Sequence, residues 1–222
     1  MARNSNSKLV ATIIVIVLLF LVMGIYFAHK FYNSIFRLSP DQVSSSLNTK
    51  ISECKKISDC KLLSGDILMR RYVTSKTWAF NEFVHPYFTH SAFYLNDDQI
   101  VEAIGREKNY QDEIQISKFS KSDWLDSGIE SFVIVRPKYS GEKLSNIKIN
   151  LTAIANDPNY RFGLPQFGHK QITCADLILE QLFNEKIIVT STAPQIITPD
   201  YLFWLAVTNP HNFEIIGYSF HR

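Results

Sequence analysis

No block of like charge runs through this chain of 222 residues: 23 lysines and arginines stand interspersed with 21 aspartates and glutamates, for a formal charge of +2. That leaves no basic stripe of the kind that draws a protein to nucleic acid. Cysteine is scarce, with three residues in all. There is no close C-x-x-C pair and no histidine at ligand spacing behind Cys54 and Cys60, so neither a zinc ribbon nor another metal site is expected, and no cofactor. There is also no room for a second full domain. Once the one long apolar run is set aside, roughly 180 residues remain, enough for a single compact core.

That run is Leu9–Ala28, LVATIIVIVLLFLVMGIYFA, without a charge. Twenty such residues are long enough as a helix to cross a hydrocarbon layer of about 30 Å. A cleaved signal peptide needs small residues at its exit, whereas this run leaves through Tyr26-Phe27-Ala28-His29, with a bulky aromatic where a small side chain is wanted. The expected organisation is therefore a tail over 1–8, a single-pass membrane anchor over 9–28, a stalk or linker over 29–63 and a soluble domain over 64–222. Arg3, Lys8 and the terminal amine flank one end, and Lys30 and Arg37 the other. The balance tips slightly towards an inside N-terminus and an extracytoplasmic domain.

Cys54 and Cys60 lie close together in Glu53-Cys54-Lys55-Lys56-Ile57-Ser58-Asp59-Cys60. Two readings stay open, a disulfide in an exported domain or two unrelated thiols in a reducing compartment. Either way Cys174 is the odd one out.

Along the soluble part, Ser39-Pro40-Asp41 with Val43, Leu47 and Ile51 reads as a capped short helix. A first strand is expected over 67–72. The aromatic stretch from Val73 to Phe88 is a loop that either walls a cleft or packs back on its own core. Asn96-Asp97-Asp98 is turn chemistry between strands over 90–95 and 99–104. Strands follow at 114–116 and 131–137, around a short helical piece at Trp124-Leu125. Leu144, Ile147, Leu151 and Ile154 describe a helix ending before Asp157-Pro158. A helix opens at Cys174, another at Thr198-Pro199-Asp200, and a last strand spans 213–220. The class is α+β, an antiparallel sheet packed against helices.

Cys174 sits in Gln171-Ile172-Thr173-Cys174-Ala175-Asp176-Leu177, where a polar loop gives way to an amphipathic helix. Helix-terminal N–H groups and the macrodipole favour thiolate over thiol there and can receive an oxyanion. Against this stands the ordinary behaviour of free cysteine as a small buried hydrophobe. A base is available in Thr89-His90-Ser91-Ala92-Phe93-Tyr94. If the hairpin loop is odd and centred on Asp97, Ala92 faces Glu102, and His90 lies diagonal to Glu102 on one face. An even loop separates them.

In Gly65-Asp66-Ile67-Leu68, Thr89-His90-Ser91-Ala92-Phe93-Tyr94, Val101-Glu102-Ala103, Tyr160, Cys174 with its helix and Thr198-Pro199-Asp200, taken in this order, the chain resembles the circularly permuted, papain-like cysteine hydrolases of the NlpC-type superfamily, in particular the YiiX-like branch. In that branch the histidine strand precedes the cysteine helix. The resemblance implies Cys174 as nucleophile, His90 as general base and then acid, and Glu102 as the group orienting the imidazole. Relatives often carry Ser after the nucleophile, where this chain has Ala175.

Other residues compete for these roles. His29 abuts the anchor, His85 precedes Pro86, His211 and His221 fall in the tail, and His169 stands five residues before Cys174. Glu102 competes with Gln99 and Asp112, or is a solvated hairpin acid. The resemblance implies an amidase or peptidase acting on cell-wall peptide or a related acyl conjugate. A thiol lipase or acyltransferase acting on lipid esters is the second reading, suggested by relatives of the lecithin:retinol acyltransferase kind. A binding module that keeps the fold without chemistry is the third. The expected partners are the membrane and a peptide or acyl substrate.

Overall fold

The structure, a computed structural model, describes residues 3–33, 35–48, 50, 52, 54–72, 85–104, 113–125, 128–163, 170–189, 194 and 196–220. The chain forms two compact units, Met1–Ile35 and Phe36–Arg222.

The first unit is helix α1 (Arg3–Asn33). Its stretch Ile13–Lys30 is long and apolar enough to cross a membrane.

The second unit is built on a six-stranded sheet: β1 (Ile67–Tyr72), β2 (His90–Asn96), β3 (Gln99–Ile104), β4 (Glu113–Lys118), β5 (Ile129–Pro137) and β8 (Phe213–Ser219), in spatial order β4-β3-β2-β1-β5-β8. Every neighbouring pair is antiparallel. Side chains alternate between the two faces, and so does the core. Ile67, Met69, Phe93, Val101 and Val133 pack on one side beneath α2 (Pro40–Leu47), α3 (Gly141–Asn156), α4 (Cys174–Asn184) and α5 (Pro199–Thr208). Leu68, Ala92, Ile100 and Ile134 pack on the other with Trp124, Phe119, Ile57 and Cys54. The expected α+β class, an antiparallel sheet packed against helices, is what forms.

The helices begin where their caps dictate. Ser39 and Gln42 make a reciprocal capping box at α2, as do Thr173 and Asp176 at α4. α2 differs from the expected stalk. Val43 and Leu47 are buried in the main core, so the folded unit starts at Phe36 rather than near residue 64. Burying two apolar side chains on the sheet outweighs leaving a short, marginal helix in water. Of the aromatic stretch, Tyr87 and Phe88 pack back into the core; residues 73–84, with Trp78, Phe80 and Phe83, lie outside the described residues.

Two strands had no legible signal: β6 (Tyr160–Phe162) and β7 (Lys170–Ile172), paired parallel in a small second sheet. Three residues each are too few for a periodicity, yet β7 leads straight into Thr173 and Cys174.

The turn before β1 needs Gly65. Its φ is +99°, and a Cβ there would lie 2.8 Å from Tyr139 Cε2. The adjoining Asp66 is fully buried and takes two bonds from Arg136 on β5, at 2.7 and 2.8 Å, and one from the Leu63 N–H. Cys54 and Cys60 form a disulfide, which resolves the pairing left open by the sequence. It rests on β8 at Gly217, where any Cβ would collide with Cys54 Sγ.

Candidate active site

The site is set by the β2–β3 hairpin. Asp97 and Asp98 both have positive φ, 41° and 69°, the pairing of a type I′ two-residue turn. Such a turn sets Asn96 opposite Gln99, and a regular ladder from there would place Glu102 opposite Phe93, on the wrong face for His90. The register instead shifts between Tyr94 and Asn96, so that Tyr94 meets Ile100 and Phe93 meets Val101. This one-residue irregularity restores the odd register, with Ala92 across from Glu102 and His90 diagonal to it on the same face. The turn is thus even, unlike the loop the sequence expectation required, and the bulge corrects for it.

His90 Nε2 consequently lies 2.9 Å from Glu102 Oε2. Glu102 is no solvated hairpin acid: its side chain is only 3% exposed. Three further donors reach it. Trp124 Nε1 donates to the same Oε2 at 3.0 Å, while Ser117 Oγ and Gln115 Nε2 donate to Oε1 at 2.9 and 3.4 Å. Burial by itself disfavours the charged carboxylate, but the His90 bond and charge, the Trp124 bond and the nearby Arg70 guanidinium overcome it and hold the group down at about 2. Glu102 is therefore a fixed anion at any physiological pH.

The His90 ring is covered by Trp124, with ring centroids 5.6 Å apart. Arg70, directly across β1 from His90, lays its guanidinium over both the Trp124 and Tyr72 rings, at 4.3 and 4.5 Å. With Nε2 committed to Glu102, Nδ1 is the ring nitrogen left for the thiol. Cys174 is the partner that acts most strongly on the His90 ring. Burial pushes the imidazole down and Arg70 adds to that, yet the Cys174 and Glu102 partners outweigh both and leave His90 above its ordinary value. The thiol moves the opposite way. Burial favours the neutral form, and the His90 and Ser91 contacts override it and bring Cys174 below its ordinary value. A base drawn up and a thiol drawn down together favour a thiolate–imidazolium pair.

Cys174 is the first residue of α4, as the sequence indicated, and Thr173 is its N-cap. The capping box occupies the Thr173 and Asp176 amides. The Cys174 and Ala175 N–H groups are left without an intrahelical acceptor, at the positive end of the helix, where an oxyanion would form. Burial raises the Asp176 carboxyl above its ordinary value, against the bonds from Thr173.

The sequence-derived trio Cys174, His90 and Glu102 is thus brought together, His90 bonding Glu102 and interacting with Cys174. Of the competitors, Gln99, His85 and His211 are exposed, and His29 contacts Asn33 within α1. His169, Asp112 and His221 lie outside the described residues. Trp124, Ser117 and Arg70 were missed as parts of the site. Trp124 carried the one available signal, a lone tryptophan in a short polar turn, and nothing local tied it to Glu102. Among the described residues no group of three metal-ligating side chains is placed to hold an ion.

No protein-family model matches this chain. No curated protein matches it by sequence either. Among solved structures, the crystal structure of the metalloprotein yiiX from Escherichia coli O157:H7 is similar at 12% identity, with a TM-score of 0.41, over 69% of this chain and 87% of that one. At that score the likeness decides nothing about the site.

Proposed function

We propose that this chain is a membrane-anchored cysteine hydrolase of the permuted papain-like kind, working through an acyl-enzyme. What carries the proposal is the grouping of Cys174 at the start of α4 with a His90 ring that interacts with it and bonds a Glu102 reached by four donors. The Cys174 thiolate attacks the acyl carbon and the carbonyl oxygen becomes an oxyanion at the α4 N-terminus. As the intermediate collapses, the bond to the leaving group breaks and the His90 imidazolium gives that group its proton. Water then gives a proton to neutral His90 and adds to the thioester. The acid product leaves and the thiolate–imidazolium pair is restored. Glu102 stays an anion throughout, holding the Nε2–H and stabilising the positive ring.

The resemblance favours an amide in cell-wall peptide or a related acyl conjugate as substrate. An apolar helix of spanning length and a disulfide, which persists in oxidising compartments, support a domain tethered on the extracytoplasmic side. The test is to incubate the full chain in micelles with peptidoglycan fragments and, separately, with phospholipids, and to identify products by mass. Cleaved cell-wall amides that vanish in Cys174→Ala support the amidase reading. Cleaved lipid esters move the assignment to a thiol lipase. No Cys174-dependent product from any acyl compound would leave a binding module.

A further inference from the structure

His90 and Ser91 are neighbours on β2 and point to opposite faces of the sheet. His90 turns towards Trp124 and Glu102, and Ser91 towards the face on which α4 packs. The direction of the main-chain donors follows from one bond: Tyr94 N–H donates to Asp66 C=O, at 2.8 Å, just ahead of β1. By alternation Ala92 and His90 also send their N–H towards β1, and Phe93 and Ser91 send theirs towards β3. The β2–β3 ladder ends at the Phe93–Val101 pair, so the ladder provides no β3 carbonyl for Ser91 N–H. That amide is instead one of the groups that favour the Cys174 thiolate.

The Ser91 side chain lies on the sheet face against which the Cys174 helix packs. It is fully buried, and its hydroxyl has no formed hydrogen bond among the described residues. It lies in interacting reach of the Cys174 sulfur, short of the geometry of a fully formed bond. A buried hydroxyl without a partner costs free energy. A cost of that kind is tolerated where the group serves chemistry. Sulfur becomes a much better acceptor when it ionises, because charge-assisted hydrogen bonds are shorter and roughly twice as strong.

We propose that Ser91 is a second activating residue of the Cys174 nucleophile, whose main-chain N–H and hydroxyl hold the thiolate from the face of β2 opposite to His90. The strand then works on both faces at once. His90 takes the proton, and Ser91 solvates the anion left behind. The end of the β2–β3 ladder is what frees the amide for this task. The catalytic use of Ser91 rests on the cysteine-hydrolase reading, but its effect on the thiol does not.

The charged groups in the surrounding elements are His90 on β2, Glu102 on β3, Arg70 on β1 and Asp176 on α4 itself, and all are retained in the variants below. With Cys54 and Cys60 joined, Cys174 is the free thiol of the chain. The experiment is therefore the rate of iodoacetamide alkylation of the full chain in micelles as a function of pH. Ser91→Ala should move the midpoint of that profile up by about 1 pH unit, the size of one hydrogen bond to a charged group, and leave melting unchanged or slightly higher. Ser91→Thr restores the hydroxyl and should return the midpoint towards wild type. An unchanged midpoint in Ser91→Ala overturns the proposal. So does a large loss of stability in that variant, which would assign the hydroxyl to the fold and not to the thiol. Absence of turnover in the wild type would overturn the hydrolase reading alone and leave the alkylation comparison standing.

Discussion

His90 and Glu102 sit 2.9 Å apart on one face of the β2–β3 hairpin because the pairing shifts by one residue between Tyr94 and Asn96. Side-chain direction in a strand has a period of two, so a single-residue change in register decides whether a base has an orienting carboxylate. Conservative changes at Glu102 should therefore act on chemistry before fold. In Glu102→Gln the amide oxygen can still accept from His90 and Trp124, and the amide nitrogen can donate to Ser117, whose hydroxyl can turn to accept. The positive ring loses its counter-charge. Activity should fall by about 10²–10⁴, less than in His90→Ala or Cys174→Ala, with all three variants folded. Initial rates on one substrate, with melting curves alongside, check the order.

Trp124→Phe keeps ring bulk over His90 and removes the Nε1–H that reaches Glu102 at 3.0 Å. A lost hydrogen bond to a buried anion costs about 1.5–3 kcal/mol. Denaturant midpoints should report this loss, and the acid limb of the activity profile should rise in pH, since Trp124 is among the groups that hold Glu102 down. An unmoved acid limb would mean the indole only fills space.

Much of this was legible in the sequence, and the reason is local. The N-cap at Thr173 and the apolar stripe of α4 place Cys174 at a helix start, and turn residues at 96–98 bound two strands. What was hidden depends on distant pairing. Asp97-Asp98 as a two-residue turn argued for the wrong face, and only the bulge inside β2 reverses that. Trp124 meets Glu102 from 22 residues away in a short 3₁₀ turn with no period of its own. α2 looked like a stalk because capping and spacing describe a helix without saying what covers it, and Val43 and Leu47 turned out to be core.

Two buried acids set the pH dependence of stability with opposite signs. Glu102 is depressed to about 2, so its contribution is present above its unfolded value near 4.5 and is lost as pH falls through about 2. Asp200 is fully buried on α5 and accepts from the Leu38, Tyr87 and Phe88 amides at 2.7–2.8 Å. Burial outweighs those bonds and raises it to about 6, so the folded state binds its proton more tightly and stability falls as pH rises from about 4 to 6. His90, raised above 6.5, adds stability that is present below 6.5 and lost at higher pH. The melting temperature should peak near pH 4, where the gain from Glu102 meets the loss from Asp200, and Asp200→Asn should flatten the decline between about pH 4 and 6. A melting temperature that climbs steadily from pH 5 to 8 would contradict this.

Reduction of the Cys54–Cys60 disulfide, which closes a short loop, should lower stability by about 2 kcal/mol. Gly217→Ala should cost at least as much, because its Cβ collides with Cys54 Sγ. Melting with and without reductant measures the first. Thiol trapping in intact cells bears on the compartment: a bridge found oxidised is expected for an extracytoplasmic domain, and free thiols at both positions would place the domain on the reducing side.

Acyl transfer through Cys174 is most directly tested by the intact mass of the full chain after exposure to a thiol-directed acyl probe. A single adduct on Cys174 is expected, absent in Cys174→Ala and formed at least about 100-fold more slowly in His90→Ala, in line with the contribution of a positioned base. Melting of Cys174→Ala within a few degrees of wild type would show that the lost adduct reflects lost chemistry and not lost fold. Equal acylation of wild type and His90→Ala, or an adduct that survives in Cys174→Ala, would contradict a Cys174–His90–Glu102 mechanism.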